Sequence, residues 1–82
     1  MELTIKLFAS FAEFLPAGAK KQTMVIEAED GARVGQVVDQ CGIPREECRL
    51  MIINGITHTN PAVTMEQELR PGDTLALLPR VH

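Results

Sequence analysis

Three features of the sequence predict an α+β fold, with a four- to five-stranded mixed sheet and one main helix packed on one face. Residues 2–8, E-L-T-I-K-L-F, alternate apolar and polar positions as a half-buried strand does. Residues 34–41 place Val34, Val37, Val38 and Cys41 at i, i+3, i+4 and i+7, an apolar stripe on a helix. Residues 74–79, T-L-A-L-L-P, give a last strand launched by the turn Arg70-Pro71-Gly72-Asp73.

The remaining elements follow in order. After the first strand, Phe11, Phe14 and Leu15 fall at i, i+3 and i+4, so residues 9–16 form a short helical turn that stops at Pro16. Residues 17–21 form a loop, and 22–28 form a second strand with Met24, Ile26 and Ala28 on one side, pairing with the first as a hairpin. Glu29-Asp30-Gly31 is a turn. The helix closes at Gly42, where a C′ glycine belongs, with Pro44 following. Residues 48–54, C-R-L-M-I-I-N, are apolar on both faces and read as a central strand. Asn54-Gly55 marks a tight turn into a brief strand over 56–60, and Thr64 with Gln67 caps a single helical turn.

Composition bounds the function. The 82 residues make one domain, 1–82, with 45% hydrophobic and 23% charged residues, enough apolar side chains for a core. A net charge of −3 and the lack of any Trp or Tyr argue against nucleic acid, which needs a basic footprint and stacking platforms. No apolar run is long enough to span a bilayer, and the strand pattern begins at once, so neither a membrane span nor a secretory leader is expected; the expected location is cytoplasmic. Cys41 and Cys48 are too far apart for a redox pair, and neither His58 nor His82 stands at a metal-ligand interval; both thiols are expected to be small buried hydrophobes, with no metal and no cofactor. The acids Glu27, Glu29, Asp30, Glu46, Glu47, Glu66 and Glu68 fall mostly at strand ends and turns, and no nucleophile–base pair is visible, so the chain is not expected to be an enzyme.

One helix covers one face of a sheet. Leu3, Ile5, Leu7, Met24, Ile26, Val34, Val37, Leu75 and Leu77 belong to the covered face, which leaves Phe8, Ala76 and Leu78 on the other. One of two pairs in the central strand, Met51/Ile53 or Leu50/Ile52, lies there as well, and Met51 and Ile53 are the pair assigned to it. Contiguous apolar surface of this kind marks a protein partner, unless residues 9–16 fold over it.

The strand–strand–helix–strand–strand order is that of the ubiquitin-like β-grasp, and four strings resemble the MoaD/ThiS sulfur-carrier family, which includes the small subunit of molybdopterin synthase. They are Lys6-Leu7-Phe8-Ala9 with Glu13 behind, Asp30-Gly31-Ala32-Arg33-Val34-Gly35, Ile53-Asn54-Gly55, and Pro71 through Pro79. The resemblance spans essentially the whole chain and implies a carrier that is not an enzyme. Its terminal carboxylate would be adenylated and converted to a thiocarboxylate by an activating enzyme, and its open sheet face would dock on that adenylating enzyme or on a synthase large subunit. The pathway would be molybdenum or tungsten cofactor or thiamine biosynthesis. Two features depart from the family. Ala12 stands where a basic residue is usual, and the tail Pro79-Arg80-Val81-His82 stands where Pro-Pro-Val, a small residue and Gly-Gly are expected. As written, the chain ends two residues short of that pair, and the expectation is a carrier without its Gly-Gly. The alternative is a family member that has lost sulfur transfer and acts as an accessory protein-binding module.

Overall fold

The computed structural model describes residues 1–80. Its strands are β1 (Glu2–Leu7), β2 (Thr23–Glu27), β3 (Cys48–Ile53), β4 (Ile56–His58) and β5 (Thr74–Pro79), and its α-helices are α1 (Val34–Gln40) and the single turn α2 (Pro61–Thr64). Two 3-10 turns, Ala9–Phe14 and Arg45–Glu47, precede β2 and β3. The sheet order is β2-β1-β5-β3-β4, with β1 and β5 parallel and every other pair antiparallel. This is the mixed five-stranded sheet that the pattern of alternation predicts.

Local chemistry explains the boundaries. The side chain of Gln36 accepts the Arg33 N–H at 2.7 Å, satisfying one of the free donors at the start of α1. At the other end Gly42 has φ +78°, with Gly42 N–H bonded to the Asp39 carbonyl and Ile43 N–H to the Val38 carbonyl, which is a Schellman closure with Ile43 tucked into the core. Asn54 and Gly55 both have positive φ, as a two-residue type I′ hairpin requires. The last helical turn lies upstream of the one expected at Thr64 and Gln67. Asn60 precedes it, Pro61 takes its first position, and Thr64 ends it, its hydroxyl donating to the Asn60 carbonyl at 3.0 Å.

The core lies between α1 and one face of the sheet. Leu3, Ile5 and Leu7 of β1, Leu75 and Leu77 of β5, and Val34, Val37 and Val38 of α1 are all essentially inaccessible. Met24 and Ile26 pack against this cluster from β2, as expected. Phe11 joins the same cluster, with Phe14 edge-on to it at 6.3 Å between ring centroids. The turn over 9–14 therefore extends the α1 side of the core.

Met51 and Ile53 are also in this core, which corrects their assignment to the open face. Asn54 fixes the register. Its N–H donates to the Thr74 carbonyl, its side-chain oxygen accepts the Thr74 N–H at 2.9 Å, and its side-chain amide donates to Asp73 at 2.8 Å. Ile53 is thereby placed opposite Leu75, and Met51 opposite Leu77. A strand with a period of two cannot present these residues to the other face once the bracket has formed.

Burial differences make this register testable. Met51→Ala should destabilise the fold by about 2–5 kcal/mol, whereas Val25→Ala, at a position 59% exposed, should stay within roughly 0.5 kcal/mol. Denaturant unfolding of the two variants checks this, and equal costs would refute the register.

The thiols differ in the same way. Burial first, and the charges of Glu46 and Glu47 second, push the Cys48 thiol from 9.0 to about 11, and burial also raises Cys41. A thiol raised on folding favours the native state up to the unfolded value of 9.0, and that contribution is lost as pH climbs towards about 11. Iodoacetamide at mildly alkaline pH should alkylate half-buried Cys41 ahead of Cys48 in the native protein, and both at similar rates in denaturant. Equal native rates would contradict the burial of Cys48.

Candidate docking face

The face of the sheet turned away from α1 is built by the alternate residues of each strand. Pairing sets one row across it as Thr23, Lys6, Ala76, Ile52 and Thr57. Leu50 stands opposite Leu78 one step further along, towards the end where β5 leaves the sheet. Phe8 follows β1 at that same end in an extended conformation, its N–H donating to the Leu77 carbonyl at 3.2 Å.

Of the residues expected here, Phe8 and Leu78 are half-buried, and Ala76 shares the face but is only 6% exposed between its neighbours. Met51 and Ile53 are replaced by the other pair, Leu50 and Ile52, both half-buried. Val25 of β2, opposite Thr4, adds an exposed apolar group. The Asn54-Gly55 turn pairs Ile53 with Ile56 and leaves the register of β3 on β5 to the bonds of Asn54 with Asp73 and Thr74, so no local signal selects Leu50 and Ile52.

The opposite end of the face is polar. Glu2 pairs with Glu27, and Thr4 lies between Val25 and Thr74. No α-helix lies on this side among the described residues, because α1 packs on the other and the turn over 9–14 contributes Phe11 to the same core.

The tail positions Pro79 and Arg80 are placed; Val81 and His82 lie outside the described residues. Pro79 pairs with Cys48 beside a β-bulge at Arg49, and the Arg80 N–H donates to the Glu47 carbonyl at 2.9 Å. Both border an open cleft of about 240 Å³ on the α1 side, with Ser10, Phe11, Phe14 and Pro44 among its walls. Among the described residues there is no cluster of three or more potential metal ligands, and no helix is long and apolar enough to cross a membrane.

The ion pairs are peripheral to this face. Arg45 donates to both carboxylate oxygens of Asp39, from Nε at 2.9 Å and Nη2 at 2.8 Å, and this contact holds the Asp39 carboxyl below its usual range. The Arg45 guanidinium lies flat against Gly35, where an added Cβ would meet it at 2.7 Å, so α1 and the second 3-10 turn are clamped together just before β3.

Comparison with known proteins agrees with this architecture. The putative molybdopterin converting factor, subunit 1, of Pyrococcus furiosus has a TM-score of 0.68 at 23% identity over 98% of this chain and 98% of that one. The HVO 2177 protein of Haloferax volcanii has a TM-score of 0.73 at 23% identity, over 100% of this chain and 85% of its own. SAMP1 of Haloferax volcanii gives 0.67 at 24% identity, over 99% and 97%. Identities this low establish the shared ubiquitin-like β-grasp fold. A search of the curated proteins gives no match. The profile of one family, Mut7-C ubiquitin, matches residues 1–82 from end to end. With the fold and the full-length match in agreement, the chain belongs to the Mut7-C ubiquitin family of ubiquitin-like domains.

Proposed function

We propose that this protein is a ubiquitin-like protein of the sulfur-carrier kind, which docks on an adenylating enzyme or a synthase large subunit through the open face of its sheet. The observation that carries this reading is the one-sided core. Every fully buried large side chain lies on the α1 side, while Phe8, Leu50, Ile52 and Leu78 are only half-covered on the other. Half-covered apolar groups gathered at one end of a sheet gain by burial against a second protein, at roughly 25 cal/mol per Å². A molybdopterin converting factor subunit among the proteins of this fold supports the choice of partner class.

A second reading, a docking module that transfers no sulfur, is favoured by the tether at the end of β5. The Arg80 N–H to Glu47 bond holds the chain against the second 3-10 turn through residue 80, whereas a tail delivering a carboxylate into an enzyme needs to extend freely.

Both readings share the face and differ in the chemistry of the carboxylate. Leu78→Asp and Phe8→Asp should abolish co-purification with the adenylating enzyme of the same cell, while Val63→Asp, at a position 66% exposed on α2, should leave it intact. Retained binding in both face variants would refute the docking face. Intact mass of the protein isolated from its own cells then separates the two readings: replacement of one oxygen by sulfur identifies a carrier, and its absence identifies a module.

A further inference from the structure

The net charge of −3 conceals a segregation of charge on the docking face. Lys6 lies in the row with Ala76 and Ile52. It pairs with Thr23, which bridges to Lys20, so the Lys20–Lys21 turn abuts the same end of the sheet. Arg49 occupies the bulge next to Leu50, and Arg80 follows Pro79 at the exit of β5. Five of the eight basic residues thus surround the end that carries Phe8, Leu50 and Leu78. All five are exposed.

The carboxylates of the face lie at its other end. Glu2 pairs with Glu27, whose side chain is 3.5 Å from the Met1 ammonium. Of the acids near this end, Glu46 lies in the turn before β3, and Glu13 and Glu47 border the cleft on the α1 side, which Arg80 borders as well. The open face is therefore uneven along the strands, with Lys6, Arg49 and the half-covered leucines where β5 leaves, and Glu2 and Glu27 where β1 begins.

Resting on the docking-face reading above, we propose that the partner presents an apolar centre bordered by carboxylates, and that this border sits over the Lys6 and Arg49 end. Opposite potentials favour encounter there, at the end away from Glu2. The polarity fixes the orientation of the partner, directing it towards the exit of β5. Burial of Leu50, Ile52 and Leu78 supplies affinity, and the cations supply the choice of partner and the rate of capture.

Two short synthetic peptides test this. They share one set of Leu and Phe residues, flanked by Glu in one and by Lys in its twin, and each is titrated into the isotope-labelled full chain and followed by amide chemical shifts. The Glu peptide should perturb Lys6, Leu50, Ile52 and Leu78 and bind about tenfold more tightly than the Lys twin at low salt, with most of that preference lost on raising salt from about 50 mM to about 500 mM. Lys6→Glu/Arg49→Glu should invert the preference, and the neutral variant Lys6→Met should reduce it without inversion. Equal binding of the twins on this face overturns the acidic-partner inference and leaves the docking face standing. Preference for the Lys twin, or shifts confined to other surfaces, also overturns it, and co-purification with the Leu78→Asp variant judges the docking face separately.

Discussion

The parallel pairing of β1 with β5 is the constraint on which the rest of this structure depends. It joins the two most distant strands of the chain at the centre of the sheet, Thr4 opposite Thr74 and Leu7 opposite Leu77. A parallel pair cannot be closed by a turn, so the whole intervening chain must serve as the crossover. Everything between the two strands is then placed by necessity. β2 folds back on the free edge of β1, β3 takes the free edge of β5, and α1 is left to cover the face where Leu3, Ile5, Leu7, Leu75 and Leu77 converge. The same pairing brings the end of β5 out at the middle of the sheet, beside Phe8, which is why the apolar end of the open face and the exit of the chain coincide.

One seven-residue helix cannot cover two faces, and this asymmetry separates core from candidate site. Leu77 and Leu78 are neighbours in sequence with opposite fates. Leu77 is fully buried against Met51, whereas Leu78, opposite Leu50, is left half-covered. Period-two geometry alone makes that division, and it gives an apolar strand of six residues one side in the core and one side on the open face.

That division was legible in the sequence wherever a strand alternates or a helix repeats. β1, with polar Thr4 and Lys6 between its leucines and isoleucine, announced its covered side, and α1 announced its stripe and its closing glycine. In β3 the signal vanished, because Leu50, Met51, Ile52 and Ile53 are interchangeable to any periodicity argument. What decides between them is a set of hydrogen bonds between Asn54, Asp73 and Thr74, about twenty positions apart in the chain. A register fixed by polar contacts of that range is not written in the strand itself, so the sequence alone does not show that Met51 and Ile53 belong to the core. The turn over 9–14 was visible as a helical period, but the side of the sheet it serves is set by where Phe11 meets the core, which is again a tertiary fact.

The charge distribution has the same character. Composition gave a mildly acidic protein, and in that average Lys6, Lys20, Lys21, Arg49 and Arg80 are unremarkable, scattered over seventy-odd positions. The topology gathers them. Because β1 and β5 run together and β3 runs against them, the late residues of the first two strands and the early residues of the third share one end of the sheet. The basic residue most tightly satisfied elsewhere, Arg45, is clamped to Asp39 outside the face. A cation held in such a pair is already partnered, whereas exposed lysines and arginines around half-covered leucines retain their field for an incoming surface. The apolar groups and the exposed cations therefore share one end of the sheet, and that position at the exit of β5 is a consequence of the parallel pair at the centre of the fold.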